Sequence, residues 1–176
     1  MVTAAEAREH LTRLQAQVTT RAQALIAVLP GSLACRRGCA DCCVDELTVF
    51  TLEADLIRFH HSDLLTNGAP HPKGACAFLG PDGACRIYDQ RPYVCRTQGL
   101  PLRWQATNEQ GETVELRDIC PLNEEPLGVP VQGLDSDKCW ALGEFEGALA
   151  SLQAEAQGSF ELRREPLRGL FSAGTE

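Results

Sequence analysis

Nine cysteines stand in the 176-residue chain, and four of them fall within nine residues, as Cys35-Arg36-Arg37-Gly38-Cys39-Ala40-Asp41-Cys42-Cys43. The others are Cys76, Cys85, Cys95, Cys120 and Cys139. Four converging thiolates can hold a zinc ion at about 2.3 Å, or the irons of a cluster at one thiolate each. Gaps of two and three residues bring sulfurs onto one centre at small loop-closure cost. The adjacent pair Cys42-Cys43 is different. On an extended backbone neighbouring side chains point opposite ways, so the pair suits two centres better than one. Disulfides or a redox switch are the competing use of such thiols, but an odd count leaves one over.

Eight ligands divide four and four once Cys139 is set aside. Cys139 falls on the apolar stripe of a last helix, where a buried cysteine acts as a small hydrophobe. Arg36, Arg37, Arg86, Arg91 and Arg96 lie close to cysteines in an otherwise acidic chain. Guanidinium groups there would offset the charge of a thiolate centre and help its ligands ionise. His60 and His61, near a helix end where an imidazolium meets the negative pole of the dipole, and His71, between two prolines, read as solvated residues rather than ligands. Cys35-x3-Cys39-x2-Cys42 is also the spacing with which radical S-adenosylmethionine enzymes hold a four-iron cluster. Those enzymes need a large partial barrel, which 176 residues without repeated strand–helix units cannot build.

The elements that must carry these residues follow from periodicity and breakers. Residues 4–29 form an amphipathic helix with Ala4, Ala7, Leu11, Leu14, Val18, Ala22, Leu25 and Leu29 on one face, stopped by Pro30-Gly31. That face packs on the domain or forms a homodimer seam. After the first cysteine loop, Leu47, Val49 and Phe50 are extended. Thr51 caps a second helix that buries Leu52, Leu56 and Phe59, and Asn67-Gly68 ends it. Cys76–Leu79 and Cys85–Tyr88 are extended pieces around the turn Gly80-Pro81-Asp82-Gly83, a knuckle that brings Cys76 and Cys85 together. Asp89 caps a short helix through Cys95. A hairpin over 102–105 and 113–116 returns the chain at Cys120, and 121–133 is a surface connection. The last helix starts near Asp135–Asp137, aligns Cys139, Leu142, Phe145, Leu149, Leu152 and Ala156, and ends at Gly158. The tail, with Phe160, Leu162, Leu167, Leu170 and Phe171, docks loosely and frays at its end.

The expected fold is a small, helix-rich α+β single domain stapled by metal, with short β-hairpins around the cysteine cluster. Residues 1–32 supply the N-terminal helix, 33–122 the cysteine-cluster domain, and 123–176 a connection and a C-terminal helix packed on the same domain. The formal charge of −8 and an aromatic content of 6% argue against nucleic acid and anionic membrane surfaces. The longest apolar run, Leu25–Leu29, is far short of the roughly 20 residues of a membrane span. The N-terminus has acidic residues and no apolar central region, so it does not read as a secretory signal. The expected setting is the reducing cytoplasm, where clustered cysteines bind metal more often than they pair.

Taken together, Cys35-x3-Cys39-x2-Cys42-Cys43, Cys76-Ala77-Phe78-Leu79, Cys85-Arg86-Ile87-Tyr88, Arg91-Pro92-x2-Cys95-Arg96 and Cys120-Pro121 resemble the bacterial YkgJ-type cysteine-cluster family of zinc- or iron-chelating domains. The resemblance spans about residues 33–122. It implies that Cys35, Cys39, Cys42, Cys43, Cys76, Cys85, Cys95 and Cys120 are the metal-ligand set, with Cys139 outside it. A similar cluster in flagellin lysine N-methylases is associated with an iron–sulfur cluster, which tips the expected cofactor toward iron–sulfur over Zn2+. Those enzymes are much longer, and no Gly-rich cofactor loop is present here. The expected function is metal binding in a structural or electron-transfer role, with no catalytic residue assigned. The alternatives are an accessory redox or methyl-transfer enzyme component, and a thiol redox sensor or metal-handling protein. No protein partner is legible.

Overall fold

The computed structural model describes residues 2–159 and 161–171. Helix α1, Ala4–Ala27, opens on a reciprocal cap. The Thr3 hydroxyl accepts from the Glu6 N–H at 3.3 Å, and the Glu6 carboxylate accepts from the Thr3 N–H at 2.8 Å. Ala7, Leu11, Gln15, Val18, Ala22 and Leu25 are buried at three- and four-residue spacing, while Ala4 is exposed. This stripe packs on α2 (Thr51–His60), α4 (Tyr93–Thr97) and α6 (Glu144–Gln157), so α1 is covered by its own chain. At the centre of that core Trp140 and Phe145 stack at 5.3 Å, and the Trp140 indole N–H donates to the Tyr93 hydroxyl at 2.9 Å. A buried indole needs such a partner, because an unpaired donor there costs about 1–3 kcal/mol.

Two small sheets tie distant segments together. Strand β1, Thr48–Phe50, pairs antiparallel with β5, Arg164–Pro166. Strands β2 (Leu102–Thr107) and β3 (Thr113–Asp118) make the expected hairpin in the register Leu102↔Asp118 to Thr107↔Thr113. The two-residue strand β4, Trp140–Ala141, adds to β2 in parallel. Among the described residues no helix is long and apolar enough to cross a membrane.

Several expectations are corrected. The second helix breaks at His61, and a separate α3 runs Ser62–Asn67. Thr51 does not cap α2. Its hydroxyl donates to the Arg163 carbonyl, and Glu53 reaches back to the Phe50 N–H instead. Phe59 is 61% exposed under the Arg8 guanidinium, because α2 turns that face to solvent. The knuckle holds a single bridge, Leu79↔Cys85, rather than two strands. Asp89 lies in a 3-10 turn, and α4 starts only after Pro92.

The supposed surface connection contains α5, Pro121–Leu127, with proline in its first turn, where a missing N–H is harmless. The last helix begins at Glu144. Gly143 at φ +110° stops the helical path, so Cys139 and Trp140 approach it extended. Gly158 ends α6 in the left-handed conformation, as expected. The tail docks closely rather than loosely, burying Leu167, Leu170 and Phe171, while Leu162 stays exposed. Phe160 and residues 172–176, where fraying was expected, lie outside the described residues.

Candidate metal centre

The first cysteine loop leaves α1 through a tight crossing. A side chain at Gly31 would lie 2.2 Å from the Pro126 carbonyl oxygen, so only glycine lets the loop start against α5. Two successive turns follow, with Cys39 N–H donating to the Arg36 carbonyl at 3.0 Å and Cys43 N–H to the Ala40 carbonyl at 2.8 Å. The second turn overturns the extended-backbone argument for Cys42-Cys43. The backbone is folded there, and the two thiols are neighbours, each the main influence on the other's ionisation. Donation from Cys43 draws the Cys42 thiol down to about 6. The same bond pushes Cys43 up, helped by burial and by the nearby sulfurs of Cys76 and Cys85.

The eight cysteines named from the sequence gather into two neighbourhoods that meet at this pair. On the inner side, Cys76 N–H donates to the Cys43 carbonyl at 2.8 Å, and the Leu79–Cys85 bridge folds Cys85 back beside Cys76. Cys95, on α4, faces the same place. Burial pushes its thiol up to about 12, with Cys76, Cys85 and Cys42 pushing the same way. On the outer side is Cys120, at the start of α5. Burial raises its thiol, and the sulfurs of Cys35, Cys42 and Cys39 add to the rise. We call Cys43, Cys76, Cys85 and Cys95 the inner set and Cys35, Cys39, Cys42 and Cys120 the outer set, with Cys42 lying near both Cys95 and Cys120. Cys139 stands apart, buried among Ile119, Leu127, Val131 and Leu134.

Sequence reasoning missed the residues that hold these loops. Asn123, fully buried on α5, accepts the Ala34 N–H at 2.6 Å and donates to the Gly99 carbonyl at 2.7 Å and the Cys35 sulfur at 3.4 Å. Its backbone N–H donates to the Cys120 carbonyl at 2.8 Å, so one residue joins both ends of the outer set. A Cβ on Gly99 would come 2.4 Å from the Cys35 sulfur, which makes that glycine the floor under it. Arg168 serves the inner side. It donates to Asp45 at 2.9 Å and to the carbonyls of His71, Pro72 and Ala75, clamping both cysteine loops from the C-terminal segment. Nothing in the local sequence distinguishes Asn123 or Arg168; only their distant partners do.

The arginines noted beside cysteines have unequal roles. Arg86 and Arg168 lie near Cys76, and Arg91 lies near Cys42 and Cys85. Arg96 is spent on structure, bonding Gln15, Thr19 and two carbonyls, which ties α4 to α1. Arg37 is exposed and pairs with Asp82 at 3.6 Å. Of the histidines, His61 bonds Gln90 at 2.8 Å, His60 stands edge-on to Phe59, and the His71 carbonyl accepts from Arg168.

All nine cysteines are free thiols. Among the described residues no three His, Cys, Asp or Glu side chains close around one ion-sized point, so the two sets stand in open order. Their chemistry nevertheless suits a soft metal. Thiolates are the preferred donors of zinc and of iron–sulfur clusters. The Nε of Arg86 is buried without a partner beside Cys76 and Cys85, a donor that a metal-bound thiolate would satisfy.

A family model with the signature CxxCxxCC, described as "Putative zinc- or iron-chelating domain", matches residues 34–121. That is half of the chain and takes in all eight cysteines of the two sets. The first gap here is one residue longer than the signature's. No curated protein and no solved structure matches the chain.

Proposed function

The chain belongs to the CxxCxxCC family of zinc- or iron-chelating domains, and from that premise we propose that its eight thiolates form two adjoining four-sulfur centres. Cys43, Cys76, Cys85 and Cys95 make one, Cys35, Cys39, Cys42 and Cys120 the other, and Cys42-Cys43 is the shared wall. The observation that carries this reading is the gathering of free cysteines about Cys42-Cys43, where the Cys76 N–H bonds the Cys43 carbonyl and the Leu79–Cys85 bridge folds Cys85 back beside Cys76. Bound there, zinc would supply structural cross-links, and an iron–sulfur cluster would add one-electron redox capacity. Iron–sulfur leads by virtue of the resemblance to the methylase cluster.

The residues around the thiols have separable tasks. Arg86, Arg91 and Arg168 offset thiolate charge, and Asn123 and Gly99 seat the Cys35 sulfur. Because eight thiolates brought together without a cation repel one another, the folded state of the cysteine loops depends on the bound metal.

Anaerobic purification followed by metal and acid-labile sulfide analysis tests the reading. The expected result is a coloured protein with iron and sulfide, or a colourless one with about two zinc ions per chain. A metal-free protein as stable as the native one would overturn it.

A further inference from the structure

The two sets differ in what surrounds them. Cys76 is buried and Cys43, Cys85 and Cys95 are partly exposed, with Cys43 and Cys85 packing against the apolar cluster that includes Val49, Ile57, Phe78 and Ile87. Arg86 roofs that side, bonding the Ala77 carbonyl and lying 5.3 Å over the Phe171 ring, while Arg168 clamps the loops from beneath. The outer set has no such cover. Cys35 and Cys42 are exposed, Cys39 and Cys120 are partly exposed, and the one polar side chain bonded to Cys35 is the neutral Asn123 amide.

Removing a metal from four thiolates requires an incoming donor to reach the ion and displace them one at a time. An apolar shell that excludes solvent blocks this step, and an open face allows it. We propose that the pair is unequal, the inner set holding a resident metal that maintains the fold, and the outer set acting as an exchange site for a thiolate-bearing acceptor. The inference rests on the metal-binding reading and assigns different work to its two halves. At each step one protein thiolate leaves the ion as one acceptor thiolate binds. The released sulfur takes a proton from water, and the oxidation state of the ion is unchanged.

The test uses the full chain loaded with zinc and mixed with an excess of a chromogenic chelator. Release is expected in two phases of equal amplitude, the faster by about tenfold or more. Cys120→Ser should abolish the fast phase, with the slow phase and the far-UV circular dichroism unchanged. Dithiol-bearing peptide in place of the chelator should accept only the fast equivalent. Single-phase release, or loss of the slow phase in Cys120→Ser, overturns the inference while leaving metal binding intact. A chain that takes up no zinc overturns this inference, and one that takes up neither zinc nor iron overturns the binding reading with it.

Discussion

Around α1, side chains such as Leu11, Val18, Trp140 and Leu149 are buried in a continuous apolar cluster spread over four helices. Between Ser32 and Leu47 and between Gly68 and Pro92 the chain has only turns, one bridge and one 3-10 turn. The first region gathers enough apolar surface to hold itself. The second holds much of its polar backbone in loops, which cannot repay their ordering entropy by burial alone. Two modes of cohesion therefore share one chain. They are joined at Arg96 of α4, which bonds Gln15 and Thr19 of α1 on one side and the Asp89 and Arg91 carbonyls on the other.

The largest expected effect comes from stripping the metal. Amide hydrogen exchange across residues 33–47 and 71–92 should rise by orders of magnitude, while α1 and α6 keep their protection. Equal loss of protection in α1 would erase the distinction. Next is Trp140→Ala, which opens the apolar half and orphans the Tyr93 hydroxyl. It should cost about 3–5 kcal/mol in chemical denaturation, yet leave the metal content of the surviving folded protein unchanged.

Arg168→Met acts on the other half. Removing its bonds to the His71, Pro72 and Ala75 carbonyls should cost about 2 kcal/mol. The exchange it releases should be confined to residues 45 and 71–76, and a change spread through α1 would argue that the two regions are one cooperative unit.

The smallest effect is a pH dependence. Burial raises the Glu53 carboxyl above its ordinary 4.5, against the pull of the Tyr93 and Phe50 N–H groups. The native state then holds this proton to higher pH than the unfolded chain, so this group's contribution to stability is greatest below 4.5 and falls as pH rises through the raised value. Glu53→Gln should flatten that slope in denaturation series across pH, and an unchanged slope would assign it to another group.

The legible parts of this structure were the ones specified locally. The α1 stripe follows from spacing alone, and the β2–β3 hairpin from the polar turn at Asn108–Gly111. The eight candidate cysteines could be named from residue types, gaps and the family resemblance. What they cannot give is arrangement. The Cys42-Cys43 geometry depended on a turn closed by the Ala40 carbonyl, which no pattern of side chains announced. Cys139 fitted a helical stripe, and Gly143 alone undid the fit by leaving the helical path. Helix α5 was hidden by Pro121 and Pro126, whose usual meaning is a loop. The β1–β5 pairing joins segments over 110 residues apart, beyond the reach of local periodicity.

The Asn123 clasp has a consequence for synthesis. Its bond to the Cys35 sulfur spans 88 residues. At a translation rate of about 5–20 residues per second, the first cysteine loop waits roughly 4–18 s on the ribosome before its anchor is made. Through that interval four thiols of a nascent chain lie open to oxidation or to the wrong ion. On the proposed reading, loading of the outer set is therefore an event that follows translation of α5.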